Sequence, residues 1–187
     1  MNDDKKLSLH DLNLLPIDQE LDVEQLKSLQ LQEEDADTPL QFKLASRREE
    51  RQLAFYLLYA LDRSDYSISL EDMLQLFERE YEFSLPRTSP IIKMVTEVVE
   101  KRQGLDDQLV PYLRNWRLER LGCCTRLILQ LGLWELQEPG SVTSIVINEA
   151  VELAKMFAEK DAYRFINGIL DEFSKSIGKN IQAPVQE

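Results

Sequence analysis

Apolar residues recur at helical spacing along most of the chain after residue 44. The first such segment has the i, i+3, i+4, i+7 repeat of an amphipathic helix. Its apolar face consists of Leu53, Ala54, Leu57, Leu58 and Leu61. Ser46 precedes this segment and Glu49 follows three residues later, which is the capping-box pattern of a helix start. The pattern predicts a helix over residues 46–62.

The same repeat predicts six more helices and no convincing strand. Glycine and proline mark their boundaries, so that Gly104 is expected to end one helix and Gly178 the last. The stretch Val142–Ile147 is rich in β-branched residues, but the helical repeat that continues from it favours a helix. The predicted segments are residues 69–77, 90–104, 105–113, 118–136, 144–158 and 161–177. The sequence therefore predicts an all-α fold of about seven helices.

Residues 1–44 differ from the remainder of the chain in charge. They contain 11 acidic and 4 basic residues, against 23 and 18 in the other 143. The stretch Gln30–Pro39 is polar, acidic and aperiodic, which is typical of a linker. A loose leucine pattern between Leu21 and Leu31 favours a frayed tail over a docking helix. We therefore expect an acidic, flexible extension at residues 1–44 and a helical domain at residues 45–187.

Composition argues against several classes of protein. The formal charge of −12 disfavours binding to anionic membranes and to bare nucleic acid, unless the basic side chains are gathered in one place. The sequence has no run of about 18 apolar residues and no secretory signal in its first 20 residues. The adjacent Cys123 and Cys124 indicate a reducing compartment rather than a disulfide framework. These observations predict a cytoplasmic protein.

The sequence lacks motifs for catalysis or cofactor binding. Its six glycines are scattered singly, so no phosphate-binding loop is expected. The single histidine, His10, lies in the extension, so neither a Ser or Cys nucleophile paired with histidine nor a zinc site is expected. Carboxylate pairs such as Asp106 and Asp107 are typical of solvated helix faces. We expect a non-enzymatic protein without cofactor or metal.

The densest group of positive charges lies at the start of the first predicted helix. Arg47, Arg48 and Arg51 lie close together on one side of that helix. Cations at a helix N-terminus oppose the helix dipole, and interrupting glutamates dilute the group, which favours a merely solubilising helix end. The same cations reinforce the tendency of a helix N-terminus to bind anions. The residues alone leave both interpretations open.

A second candidate segment, DAYRFINGILD at residues 161–171, opens the last predicted helix. Its aromatic, guanidinium and amide groups suit stacking on unpaired bases and hydrogen bonding to them. The alternative is a core Phe165 beside a solvated Arg164. Gly168 lies inside this helix at a cost of ~1 kcal/mol relative to Ala. The simplest expectation is that another helix backbone approaches it closely.

Several blocks of the sequence resemble the NusB family of bacterial transcription antitermination factors. INEAVELAKMF at residues 147–157 and FINGILD at residues 165–171 resemble the C-terminal signature of that family. RREERQLAFYLLY at residues 47–59 is similar to its opening arginine-rich helix. Blocks similar to its middle section are PYL at residues 111–113, WRL at 116–118, Arg126 and WEL at 134–136. Together these blocks span about residues 46–171.

The resemblance implies an all-α fold of two small helical subdomains packed crosswise. Family members pair with NusE, a small-subunit ribosomal protein. The heterodimer binds boxA RNA and tethers antitermination complexes to RNA polymerase during rRNA synthesis. By this resemblance the RNA-binding residues would be Arg47, Arg48, Arg51, Asp161, Arg164, Phe165 and Asn167. The residues that contact NusE would be Tyr112, Trp116, Arg126 and Gln130.

Two alternatives remain open. One is a NusB-like protein-interaction module with weak or lost RNA binding, modulated by its acidic extension. The other is a NusB-like domain of the kind fused to RNA cytosine methyltransferases, which the missing glycine-rich loop and catalytic cysteine motif disfavour. With only three arginines, RNA affinity should fall only slightly with rising salt concentration. We therefore expect weak RNA binding by the chain alone and much tighter binding with a basic partner.

Overall fold

In the computed structural model of this chain, the described residues are 40–41, 46–80, 83–114 and 116–179. They form two compact units, one ending at Thr96 and the other beginning at Glu97. This part of the chain contains six α-helices, two 3-10 helices and two strands of two residues each. The α-helices are α1 (Arg47–Arg63), α2 (Leu70–Glu80), α3 (Pro90–Leu109), α4 (Cys123–Gln137), α5 (Thr143–Phe157) and α6 (Ala162–Ser176). The predicted all-α class is confirmed.

The first unit contains α1 and α2, which pack against each other. The hydroxyl of Ser46 accepts a hydrogen bond from the backbone N–H of Glu49 at 3.2 Å, so Ser46 is the N-cap that the sequence predicts. Ser69 accepts from the N–H of Asp72 at 3.1 Å in the same way at the start of α2. The predicted apolar face of α1 is buried throughout. Local capping and apolar spacing therefore account for both helices.

Two residues of the predicted extension belong to the folded unit. Leu40 and Gln41 form strand β1, which pairs in parallel with strand β2 (Phe83–Ser84). A strand of two residues leaves no alternating pattern in the sequence, so the sequence did not predict this pair. The rest of residues 1–44, including the leucine pattern, lies outside the described residues.

One arginine holds the connection between α2 and α3. Arg87 Nη1 donates to Glu78 Oε1 at 2.7 Å, and Arg87 Nη2 donates to Glu71 Oε1 at 2.8 Å. Glu78 Oε1 also accepts from the N–H of Leu85 at 2.7 Å, which fixes the chain directly after β2. The bonds to Glu78 and Glu71 raise the pKa of Arg87, and the bond from Arg87 lowers the pKa of Glu71. This ionic cluster fixes the chain between β2 and α3.

Helix α3 is longer than the sequence pattern predicts. It continues through Gly104 to Leu109 and passes into a 3-10 helix at Val110–Tyr112. Gly104 is not among the glycines with positive φ, so it forms no left-handed helix end. Leu105 and Leu109 are buried and continue the apolar stripe of α3. The predicted helix break at Gly104 is therefore wrong.

Helix α4 packs against both α5 and α6, which also pack against each other. Eleven of its fifteen residues are buried, as in a helix that is enclosed on most sides. A Cβ atom at Gly132 would lie 2.9 Å from Leu170 Cδ1, so glycine at this position allows α6 to approach α4 closely. Helix α4 begins at Cys123, because the predicted residues before it form a separate 3-10 helix at Leu118–Arg120.

Candidate nucleic-acid interface

The predicted arginine cluster opens α1 in the first unit. The side chain of Arg47 is 73% exposed, and its Nη1 donates to Glu50 Oε2 at 2.9 Å. Arg51 Nη1 donates to the backbone oxygen of Arg47 at 3.3 Å. Arg48 is exposed at the surface. The three arginines together with Glu49 and Glu50 give this helix start a net charge of +1. The structure therefore exposes the cluster and partly neutralises it.

The second predicted segment opens α6 in the second unit. Asp161 precedes the helix with a φ of 67°, in the left-handed region that aspartate tolerates better than most residues. Its side chain makes no capping hydrogen bond, and Oδ1 lies 4.0 Å from Arg164 Nε. The side chain of Arg164 is 74% exposed. This helix start therefore presents both a carboxylate and a guanidinium to the solvent.

Tyr163 lies between two cations. The ring centre is 5.6 Å from Arg164 Cζ and 5.8 Å from Lys155 Nζ, both within the range of cation–π attraction. Arg164 Nε donates to the hydroxyl oxygen of Tyr163 at 3.1 Å, which raises the pKa of the guanidinium. Lys155 comes from the last turn of α5, and sequence reasoning missed it. Neighbouring helices thus supply one aromatic and cationic cluster.

Phe165 is half-buried and packs against Trp116. The two ring centres are 6.3 Å apart, and the ring planes are inclined at 56°. Trp116 is 57% exposed, so one part of this aromatic pair faces the solvent. Phe165 is therefore neither a fully buried core residue nor a fully exposed one. Trp116, which the family resemblance assigns to NusE, lies beside a residue that the same resemblance assigns to RNA.

Asn167 and Gly168 are exposed on α6. Apart from Gly168 itself, its chain neighbours and the backbone of its own helix, no heavy atom of the described residues lies within 4 Å of the place where a Cβ atom of Gly168 would stand. The predicted close approach of another helix backbone is therefore wrong for this part of the chain. Gly168 lies one turn after Arg164 on the same side of the helix. The glycine thus leaves open space beside the cationic cluster.

Tyr112, predicted to contact NusE, is tied to α6. Its hydroxyl oxygen lies 2.7 Å from Ser176 Oγ, and its ring meets the Phe173 ring edge-on at a centre distance of 5.8 Å. The residue is half-buried in the second unit. Its ring anchors the segment after α3 and leaves only part of its surface for a partner.

Arg126 and Gln130, also predicted to contact NusE, share the carboxylate of Asp106. Arg126 Nε donates to Oδ1 at 3.1 Å, Arg126 Nη2 donates to Oδ2, and Gln130 Nε2 donates to Oδ1 at 2.8 Å. Asp106 is 1% exposed, so its interpretation as part of a solvated face is wrong. Gln130 is 2% exposed and therefore buried, whereas the Arg126 side chain is 40% exposed.

These features define a small all-helical protein whose exposed groups suit binding by charge and aromatic stacking. Within the described ranges, no group of three His, Cys, Asp or Glu residues could hold a metal ion. In the same part of the chain, no helix is both long and apolar enough to cross a membrane. The sequence profile of the NusB family matches residues 48–175. The chain belongs to the NusB family, whose role is transcription antitermination.

Curated relatives bear the name transcription antitermination protein NusB. The Macrococcus caseolyticus protein is 35% identical over 133 residues, which cover 70% of this chain and 98% of that protein. The Staphylococcus haemolyticus protein is 36% identical over 128 residues, or 67% of this chain and 96% of that protein. The Helicobacter hepaticus protein is 34% identical over 143 residues, or 73% and 87%.

Solved structures confirm the fold. T. maritima NusB matches with a TM-score of 0.58 and 28% identity, over 70% of this chain and 92% of that chain. A chain in the structure titled "Crystal Structure of a Plectonemic RNA Supercoil" matches with a TM-score of 0.59 and 25% identity, over 70% and 95%. Because the family match begins at Arg48, the acidic N-terminal residues lie outside it.

Proposed function

We propose that this chain binds boxA-type single-stranded RNA together with the ribosomal protein NusE. In this role it supports rRNA transcription within the RNA polymerase antitermination complex. The observation that carries the proposal is the exposed cluster at the start of α6, where Arg164 and Lys155 flank Tyr163 and the half-buried Phe165 follows. Family membership supports the same role.

The chemistry of this cluster matches that of unpaired RNA. Arg164 bears a permanent charge for a phosphate, and the exposed part of Phe165 gives a base a surface for stacking. The amide of Asn167 and the carboxylate of Asp161 suit hydrogen bonds to base edges, where the carboxylate accepts from an amino group. The arginines at the start of α1 bind further phosphates in this proposal.

The charge of the chain explains why a second protein is required. At −12 the chain repels RNA at long range, and the α1 cluster has a net charge of only +1 once its two glutamates are included. If Arg47, Arg48 and Arg51 each release counterions, the salt slope for single strands is roughly −2. A basic partner adds phosphate contacts and is itself attracted to the acidic chain.

For NusE we propose contacts at Tyr112 and Arg126. The Arg126 guanidinium is held in place by Asp106 and is partly exposed. Gln130 is buried and acts through Asp106, which it helps to hold. Gln130 is therefore a positioning residue in this proposal rather than a contact.

A charge reversal in α6 tests the proposal. We expect Arg164→Glu to weaken binding of a fluorescein-labelled boxA RNA by roughly 10- to 150-fold, because a charge-assisted hydrogen bond contributes about 1.5–3 kcal/mol. Binding is measured by fluorescence anisotropy with NusE present. Lys175→Glu makes the same charge change on the same helix, eleven residues away, and serves as the matched control.

The result has a clear contrary outcome. If Arg164→Glu and Lys175→Glu weaken binding equally, the RNA senses only the total charge and the α6 cluster is not its site. If the unmodified pair with NusE does not bind the RNA at all, the proposed function itself is wrong. Thermal unfolding should be nearly unchanged in both variants, since both side chains are largely exposed.

One observation favours the alternative of an interaction module with weak RNA binding. Arg47 is already paired with Glu50 at 2.9 Å, and the extension adds further acidic residues close in sequence to this cluster. Removal of residues 1–39 keeps β1 and tests this alternative. A gain in RNA affinity on removal would indicate that the extension competes with RNA, whereas unchanged affinity would exclude that competition.

A further inference from the structure

Trp116 is an exposed aromatic residue that the fold holds in place rather than buries. Its side chain is 57% exposed, although tryptophan is among the residues that gain most from burial. One part of the ring contacts Phe165 at a centre distance of 6.3 Å, and the remainder faces the solvent. Because the two ring planes are inclined at 56°, the exposed part of the indole, rather than the pair as one flat surface, is available for one more flat ring to stack on.

The residues just before Trp116 anchor its segment to the second unit. The N–H of Trp116 donates to the backbone oxygen of Leu113 at 2.8 Å, and Leu113 is buried. Arg114 pairs with Glu172 of α6 at 3.1 Å. Tyr112 is tied to Ser176 of the same helix. An anchored aromatic ring loses little conformational freedom when a ligand stacks on it.

Positive side chains predominate around Trp116, although Arg114 is paired with Glu172 and Glu119 adds one negative charge. Arg117 and Arg120 are exposed, and their guanidinium groups form no hydrogen bond or ion pair within the described part of the chain. The sequence in this segment is RNWRLER at residues 114–120, with three arginines three residues apart around the indole. Aromatic rings interleaved with cations are typical of surfaces that bind single-stranded nucleic acid.

We propose that Trp116, backed by Phe165, is a stacking platform for one unpaired RNA base, with Arg117 and Arg120 facing the adjacent phosphates. This inference rests on the proposed function and assigns Trp116 to RNA instead of to the protein partner. The contact with Phe165 supports this assignment, because it places the indole beside the α6 cluster. Arg117 and Arg120 attract the RNA backbone and disfavour a basic protein surface at this one position, although the acidic chain as a whole attracts a basic partner.

The platform predicts one change in tryptophan fluorescence and one change in RNA affinity. The chain contains two tryptophans, and Trp134 is buried, so a base that stacks on Trp116 changes the fluorescence of the exposed one. Trp116→Phe retains an aromatic ring and removes that signal. Trp116→Ala removes the ring, and we expect RNA binding to weaken roughly 5- to 150-fold, the range that alanine substitution gives for a stacked base.

The experiment uses the full chain assembled with NusE and a boxA RNA as the probe. RNA affinity is measured by anisotropy of labelled RNA, and tryptophan fluorescence is followed with unlabelled RNA. NusE affinity is measured separately by calorimetry. Ile145→Ala, which truncates an apolar residue of α5 that is 51% exposed, is the matched control and should leave RNA affinity unchanged.

The measurements distinguish support for the platform, failure of the platform and failure of the proposed function. Weak RNA binding by Trp116→Ala, intermediate binding by Trp116→Phe and loss of the RNA-dependent fluorescence change in Trp116→Phe support the platform. Unchanged RNA affinity in Trp116→Ala overturns it, and so does a loss confined to NusE affinity, which would return Trp116 to the protein surface. If the unmodified pair binds no RNA, the proposed function fails first, and that result is distinguishable from a platform failure.

Discussion

Replacement of Arg126 by methionine should destabilise the second unit by about 2–3 kcal/mol. Among the described residues, the change leaves the Asp106 carboxylate, which is 1% exposed, with Gln130 as its remaining side-chain donor. Loss of one member of a fully buried ion pair costs about 3–5 kcal/mol. The Arg126 side chain is 40% exposed, so water replaces part of the lost interaction and the expected value lies below that range.

Three further variants make the measurement specific. Asp106→Leu combined with Arg126→Met removes the buried charge together with its partner, and should cost less than Arg126→Met alone. Gln130→Leu should cost less than about 1 kcal/mol, because it removes a hydrogen bond and also a buried oxygen that has no partner among the described residues. Arg117→Met is the matched control at an exposed and uncommitted arginine.

Urea unfolding followed by circular dichroism gives the free energy of unfolding for each variant. The reasoning fails if Arg126→Met and the Arg117→Met control differ by less than about 0.5 kcal/mol, which is the usual range for surface substitutions. It also fails if the double variant is less stable than Arg126→Met, because the penalty would then arise from lost packing. With these values known, NusE affinity of Arg126→Lys separates the contact role of Arg126 from its structural one.

Three other predictions follow from the same structure. Gly168→Ala should stabilise the fold by up to ~1 kcal/mol in thermal unfolding and still weaken RNA binding, if RNA occupies the open space at this position. The bond from Arg87 lowers the pKa of Glu71. The stability that this ion pair contributes is therefore present at neutral pH and is lost as the pH falls through the lowered pKa. The Tm measured from pH 7 to pH 3 should fall more steeply for the wild type than for Glu71→Gln. Arg47→Glu combined with Arg164→Glu should weaken RNA binding by the product of the single effects, whereas a much smaller combined loss would show that the two clusters do not act independently on one RNA.

Helix faces could be predicted from the sequence because they depend on local spacing. The apolar stripe of α1 and the Ser46 cap require only residues within a few turns of each other. The boundary at Gly104 could not be predicted in this way. Glycine ends a helix when its φ turns positive, and the buried Leu105 and Leu109 keep the chain helical there. Tertiary packing thus overrides the local propensity of a single glycine.

Candidate site residues could be proposed from the sequence where one segment holds them together. The composition of residues 161–171 by itself indicates aromatic, guanidinium and amide groups suited to binding. Arg164 and Asn167 are exposed in the structure. Contacts between distant segments leave no such mark. Lys155 joins the ring of Tyr163 from another helix, and Asp106 meets Arg126 across twenty residues. A local sequence pattern also cannot distinguish a buried carboxylate from a solvated one, because burial depends on the residues that pack over it from elsewhere in the chain.

In the proposed function, stacking and a few positive charges at the α6 cluster together allow an acidic chain to bind RNA. Stacking on Phe165 and Trp116 depends on contact area and is nearly independent of salt, whereas the few exposed arginines act through counterion release and weaken as salt rises. An interface with this balance keeps part of its affinity at ionic strengths that abolish non-specific binding. The same acidic charge repels RNA that lacks unpaired bases for stacking. If the proposed function holds, the combination of low positive charge and exposed aromatic rings predicts selectivity for single strands.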